Sequence, residues 1–101
     1  MNSIRIKVRF LSPYFRDLAG VGEEEVLLGE GSSLRALLGK LRELHGERLY
    51  EQLYDEETGE VRSGVLLVVN GRLASSVNEV LRDGDMVAIT IAYEGGAPIA
   101  G

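Results

Sequence analysis

The sequence predicts an α+β fold, a mixed sheet of four to five strands with one main helix packed on one face. Three observations predict it. Ile4, Ile6, Val8 and Phe10 alternate with Arg5, Lys7 and Arg9, the period-two pattern of a half-buried strand. Leu34, Leu37, Leu38, Leu41 and Leu44 recur at helical spacing. Two later apolar runs, one from Val65 to Val69 and one from Val87 to Ile91, are bounded by turn residues and read as buried strands.

The elements follow in order. The first strand covers Ile4 to Phe10, and its basic side is a solvated sheet face. Pro13 cannot donate to a ladder, so Ser12 to Gly20 leaves the sheet. A helical turn over Tyr14 to Leu18, stopped by Gly20, is expected there. Glu23 to Leu28 is a second strand with Val26 and Leu28 inward, closed by Gly29-Glu30-Gly31. Ser32-Ser33 supplies an N-cap for the leucine helix, and Gly46 stands where a helix C-terminus favours glycine. Gly39 inside the helix suggests close packing on the sheet. Glu47 to Tyr54 reads as a further short helical piece with Leu49, Tyr50 and Leu53 apolar. Asp55 to Glu60 is acidic and turn-rich, and is expected to be a mobile loop. After Val69, the pair Asn70-Gly71 is a strong hairpin signal, so Arg72-Leu73 begins a short return strand. Val77 to Leu81 reads as a helical turn leading to Asp83-Gly84-Asp85 and the last strand. The first and last strands are the most regular, which places them side by side at the sheet centre.

The 101 residues fit one domain, and an apolar fraction of 45% with 27% charged residues is that of an ordinary globular chain. Sixteen acidic against eleven basic side chains leave a net charge of −5, which argues against nucleic-acid binding. The absence of cysteine excludes disulfides, a cysteine nucleophile and thiolate metal sites. His45 is the one histidine, so a catalytic triad and a multi-histidine metal site are excluded; at a helix end it is structural. The acidic clusters Glu23-Glu24-Glu25 and Asp55-Glu56-Glu57 lack the spacing of a calcium loop and read as solvated faces. The glycines match neither a dinucleotide nor a phosphate-loop fingerprint. There is no signal-peptide core and no membrane-length apolar run, so the expected compartment is cytoplasmic and no membrane partner is expected. A stand-alone enzyme has almost nothing to work with here.

What the chain does have is its end. The last strand runs directly into Gly95-Gly96, a segment with almost no side chain that can thread a narrow site. The rest of the protein then reads as a 1–94 domain that presents a flexible 95–101 tail.

The alternating first strand, Arg16-Asp17-Leu18-Ala19-Gly20, Gly31-Ser32-Ser33-Leu34, Val69-Asn70-Gly71-Arg72, Leu81-Arg82-Asp83-Gly84-Asp85 and Gly95-Gly96 occur in the order found in the MoaD/ThiS family. The chain resembles these small ubiquitin-like sulfur carriers over residues 3 to 96. The resemblance implies a β-grasp fold and a co-substrate rather than an enzyme. It implies that an ATP-dependent adenylyltransferase of the ubiquitin-activating type adenylates the terminal glycine, and that sulfur transfer leaves a thiocarboxylate. The sulfur acceptor would be an enzyme such as a molybdopterin-synthase large subunit. No cofactor is expected on this chain, since the ATP is used by the partner. Carried over, Gly96 bears the thiocarboxylate, Gly95 is its slender neighbour, and Ile91, Ala92, Tyr93 and Glu94 line the entry to the partner.

One departure matters. Gly96 is in a peptide bond with Ala97, and Ala97-Pro98-Ile99-Ala100-Gly101 follow. Either a protease removes these five residues, for which the resemblance implies a JAMM-type zinc enzyme, or Gly101 is used, or sulfur is not carried. Two other functions share the sequence: a modifier conjugated to lysines, and a β-grasp interaction module that docks through its sheet face without tail chemistry.

Overall fold

The computed structural model describes residues 2–92. Strand β1 (Ser3–Phe10) is followed by helix α1 (Pro13–Ala19), strand β2 (Glu23–Gly29), helix α2 (Leu34–His45) and helix α3 (Glu47–Leu53). Then come β3 (Tyr54–Asp55), β4 (Glu60–Val61), β5 (Val65–Val69), β6 (Arg72–Leu73) and β7 (Met86–Ile91). Five strands form one sheet in the order β2-β1-β7-β5-β6, and β3 with β4 forms a separate hairpin. The long helix α2 covers one sheet face, the β-grasp arrangement. The two most regular strands lie together at the centre as expected: β7 runs parallel to β1, with Val8 opposite Val87, and antiparallel to β5, with Leu67 opposite Ile89.

The alternation in β1 decides which way the sheet faces. Ile4, Ile6, Val8 and Phe10 are buried, while Arg5, Lys7 and Arg9 are exposed. Opposite them in β2, Val26 and Leu28 turn inward. Leu34, Leu37, Leu38 and Leu41 of α2 complete this core. Each buried leucine contributes roughly 1.5–3 kcal/mol before entropy is subtracted. Ser33 caps α2 by accepting from the Ala36 amide at 3.3 Å. Helix α1 is capped by Ser12 and ends at Gly20, whose φ of 80° is left-handed.

Several expectations are corrected. Leu44 keeps the helical spacing but is 49% exposed, because it lies at the flank of the stripe and His45 takes the inward position of the last turn, against Phe10 and Glu24. Gly39 does not serve close packing: a Cβ there would meet nothing within 4 Å. Asp55 to Glu60 is turn-rich as expected, and it closes the β3–β4 hairpin. Asp55 accepts from the Glu57 amide at 2.9 Å, and the Gly59 amide donates to Asp55 C=O at 2.8 Å.

The largest misreading is Val77 to Leu81, which is not helical. Its carbonyls serve another helix. The amides of Arg35 and Leu34 donate to Val77 C=O at 2.8 Å and Glu79 C=O at 3.0 Å, and the Leu81 amide donates to Ser32 C=O at 2.8 Å. The segment thus satisfies unpaired donors at the α2 N-terminus. Glu79 holds it in place, accepting from the Arg72 guanidinium and from the Ser75 amide at 3.1 Å. His45, as a structural residue, meets Glu24 of β2 and packs edge-on against Phe10 with centroids 6.2 Å apart.

Two predictions follow from these contacts. Helix-interior glycine costs about 1 kcal/mol relative to alanine, and the space beside Gly39 is open. Gly39→Ala is therefore expected to raise the unfolding free energy by about 1 kcal/mol in denaturant titration; a loss would show that the space is used. The Arg72 bond, followed by the Ser75 amide, holds the Glu79 carboxyl at about 2 against an ordinary 4.5. The unfolded chain protonates first, so this stabilisation is complete above pH 4.5 and is lost as pH falls towards 2. Between those values the wild-type protein should lose more stability than Glu79→Gln, and equal losses would refute the assignment.

Candidate functional site

The site is the end of the central strand, and it is set by the turns at both ends of β7. At its start, Asp83 Oδ1 accepts from the Arg5 amide at 2.8 Å, and the Gly84 amide donates to Arg5 C=O at 2.9 Å. Asp85 Oδ1 accepts from Asn70 Nδ2 at 2.8 Å, and Asn70 Oδ1 accepts from the Met86 amide at 2.9 Å. Asn70 and Gly71 both have positive φ, 52° and 85°, the values of the tight type I′ hairpin. The Asn-Gly and Asp-Gly-Asp turns are therefore clasped together, which fixes the register of β7 against both neighbours.

At its far end β7 is released unevenly. Towards β1 the last backbone bond runs from the Leu11 amide to Ile89 C=O at 2.9 Å. Towards β5, Ile91 still pairs with Val65, and the Ala92 amide donates to Gly64 C=O at 2.7 Å. Of the residues expected to line the entry, Ile91 is half-buried on the helix-covered face and Ala92 is exposed. Tyr93, Glu94, Gly95 and Gly96 lie outside the described residues, and so does the boundary between domain and tail.

The two sheet faces differ at this exit. On the helix side, Tyr14, Phe15, Glu51, Arg62, Val65 and Ile91 help line an open cleft of about 1090 Å³. On the open side, register places Leu66 and Val68 of β5 beside Thr90 and Ala88 of β7, with Met86 and Leu73 continuing the row. Leu73 is 60% exposed, and Leu11 is 45% exposed just past the end of β1. An apolar stripe thus runs along the open face to the point where the chain leaves the sheet. Beside it lie Arg5, Lys7 and Arg9, partly neutralised because Lys7 and Arg9 meet Glu23 at 3.5 and 3.3 Å. Such an apolar stripe with a charged border suits a protein partner.

Sequence reasoning missed this stripe. Val65 to Val69 is apolar throughout, so no alternation marks Leu66 and Val68 as outward. It also missed Gly64, whose carbonyl holds Ala92; the only signal was a Ser-Gly pair before a strand. Among the described residues no group of three or more His, Cys, Asp or Glu side chains is placed to hold a metal. No helix of the described residues is long and apolar enough to cross a membrane. The arrangement can present a chain end to a partner.

Known proteins can be set beside this geometry. The model of the ThiS family matches residues 13–96. The chain is similar to the structure of a putative molybdopterin converting factor, subunit 1, from Pyrococcus furiosus. That match has 36% identity and a TM-score of 0.70, and covers 88% of this chain and 98% of that one. Small archaeal modifier protein 1 of Haloferax volcanii matches with a TM-score of 0.75 at 17% identity, over 88% of this chain and 98% of that chain. A chain of the BexX/CysO complex from Amycolatopsis orientalis matches with a TM-score of 0.69 at 20% identity, over 95% and 98%. The last two show a shared fold. No curated protein matches the sequence. The extent of the family match, with the identity to the Pyrococcus protein, shows that the chain belongs to the ThiS family of small ubiquitin-like carriers.

Proposed function

We propose that this protein is a sulfur carrier whose working group is the carboxylate of Gly96, exposed by removal of Ala97 to Gly101. The observation that carries the reading is where the family match ends. It stops at Gly96, the second glycine of the pair, and leaves out the five residues beyond it. The same tail follows directly from the strand at the sheet centre, so the domain holds its root firmly.

The chemistry has three steps. Water cleaves the Gly96–Ala97 peptide bond, releasing the pentapeptide and a Gly96 carboxylate; a JAMM-type metalloprotease is the proposed agent. A carboxylate is a poor electrophile, so an activating enzyme next brings ATP. A carboxylate oxygen attacks the α-phosphorus, pyrophosphate leaves, and an acyl-adenylate forms. Hydrosulfide bound by the partner then attacks the acyl carbon, AMP leaves with the bonding electron pair, the S–H proton passes to solvent, and a thiocarboxylate results. Gly95 and Gly96 contribute slimness, and Ile91 to Glu94 contact the partner at the entry. The apolar stripe from Met86 and Leu73 to Leu11 is the proposed docking surface. The Pyrococcus relative, named a molybdopterin converting factor subunit, supports a molybdopterin-synthase-type acceptor. The CysO relative, solved as a complex, supports work done in partnership.

The intact mass of the untagged protein from its own organism tests the reading. A species ending at Gly96, heavier by the exchange of one oxygen for sulfur, is expected. A population consisting only of chains ending at Gly101 without sulfur would sink it. Conjugation to lysines would instead show as a ladder of larger species under denaturing conditions.

A further inference from the structure

A presented tail needs a defined starting point. The last described anchor of β7 lies beyond the strand itself, in the bond from the Ala92 amide to Gly64 C=O at 2.7 Å. A turn aims that carbonyl. The Val65 amide donates back to Arg62 C=O at 3.0 Å, and Gly64 sits at the third position of the turn with φ of 87°. This is the type II pattern, in which glycine is favoured for its conformation. Space is not the reason, since a Cβ at Gly64 would meet nothing within 4 Å.

Arg62 fastens the turn to α3. Its Nε donates to Glu51 C=O at 2.8 Å, and its Nη1 meets the Asp55 carboxylate at 3.4 Å. Its amide donates to Leu53 C=O at 2.9 Å. A connected path therefore runs from the end of α3, through Arg62 and the turn, to the root of the tail. The Ala92–Gly64 bond extends the β5–β7 register by one pair, and the Arg62 contacts lie outside the pairings of β7.

We propose that Gly64, held by Arg62, is a positioning residue for the tail chemistry: its carbonyl fixes Ala92 as the point from which Gly96 is delivered. The proposal rests on the carrier reading. Gly96 lies four positions beyond Ala92, and at about 3.3–3.6 Å per residue that span reaches about 14 Å at most. Over so short a reach, an error at the root is carried to the reacting carboxylate. A misplacement of about 1 Å can cost about 10²-fold in rate. Docking through the open face does not involve this turn. Loss of the anchor should therefore lower kcat and leave KM for the carrier unchanged, as neither residue touches the reacting atoms.

Two measurements test this. On the full chain, Gly64→Ala places a side chain at positive φ, and Arg62→Ala removes the side-chain ties of the turn to Glu51 and Asp55. In both, hydrogen exchange at the Ala92 amide should quicken by about tenfold or more while Val87 and Ile89 stay protected. The second measurement uses chain ending at Gly96. The last described strand ends at Ile91, so this removes nothing from the described fold. With the activating enzyme of the same organism and ATP, pyrophosphate exchange should show kcat lowered about tenfold or more and KM within about twofold. Inserting one glycine between Ala92 and Tyr93 should also lower kcat without touching the turn; since it shifts Tyr93 and Glu94 at the entry, only its kcat enters the test. If Gly64→Ala fails to fold, Arg62→Ala and the insertion carry the test. Wild-type turnover with unchanged kcat in these variants overturns the positioning role alone. No turnover of the wild-type chain overturns the carrier reading and this proposal with it.

Discussion

The structure depends on the placement of β7 between β1 and β5. A strand flanked on both sides has its amides and carbonyls paired within the sheet, and its inward side chains, Val87 and Ile89, are fully buried. Among the described residues no other strand joins the N-terminal half of the sheet, β1 with β2, to the C-terminal half, β5 with β6. A parallel partner also needs a long crossover, and the chain between β1 and β7 supplies it with α2 and its leucine core. One strand therefore closes the topology and sets the point where the C-terminal residues begin.

That double role explains the density of polar contacts at its start. A one-residue slip of β7 would turn Val87 and Ile89 to the open face and bring Met86, Ala88 and Thr90 into the core. The clasp of Asn70 with Asp85 and Met86, and of Asp83 with Arg5, opposes such a slip with directional bonds from both flanks. Each such bond is worth only about 0.5–1.5 kcal/mol net. Their value lies in register, which the non-directional apolar core specifies less sharply.

The sequence made legible those elements that satisfy themselves locally. β1 shows its face by alternation, α2 by leucine spacing and a serine cap, and the β5–β6 hairpin by Asn-Gly. Val77 to Leu81 was misread because its backbone partners are the Ser32 to Arg35 amides and carbonyls, more than forty positions away in a different element. Leu44 was misread because it fits the spacing at the flank of the stripe, while the inward position of that turn belongs to His45. The site divides the same way. Ile91 and Ala92 could be found from the strand that precedes the diglycine. Gly64 and the stripe through Leu66, Val68 and Leu73 depend on which strands become neighbours, which only the assembled sheet decides.

The asymmetry at the exit bears on how such a domain can work with a partner. On the open side the chain leaves over apolar side chains, whose burial stabilises a complex at about 25 cal/mol per Å² without demanding exact geometry. On the helix side it leaves past a polar cleft where Arg62 is already committed to Glu51 and Asp55. On the proposed reading, affinity and aim are supplied by different residues. The stripe can tolerate substitution among apolar side chains, whereas the turn at Gly64 has one backbone conformation that points its carbonyl at Ala92. On that reading, separating the two would let a small domain bind partners of different shape through the sheet while its C-terminal residues start from the same place.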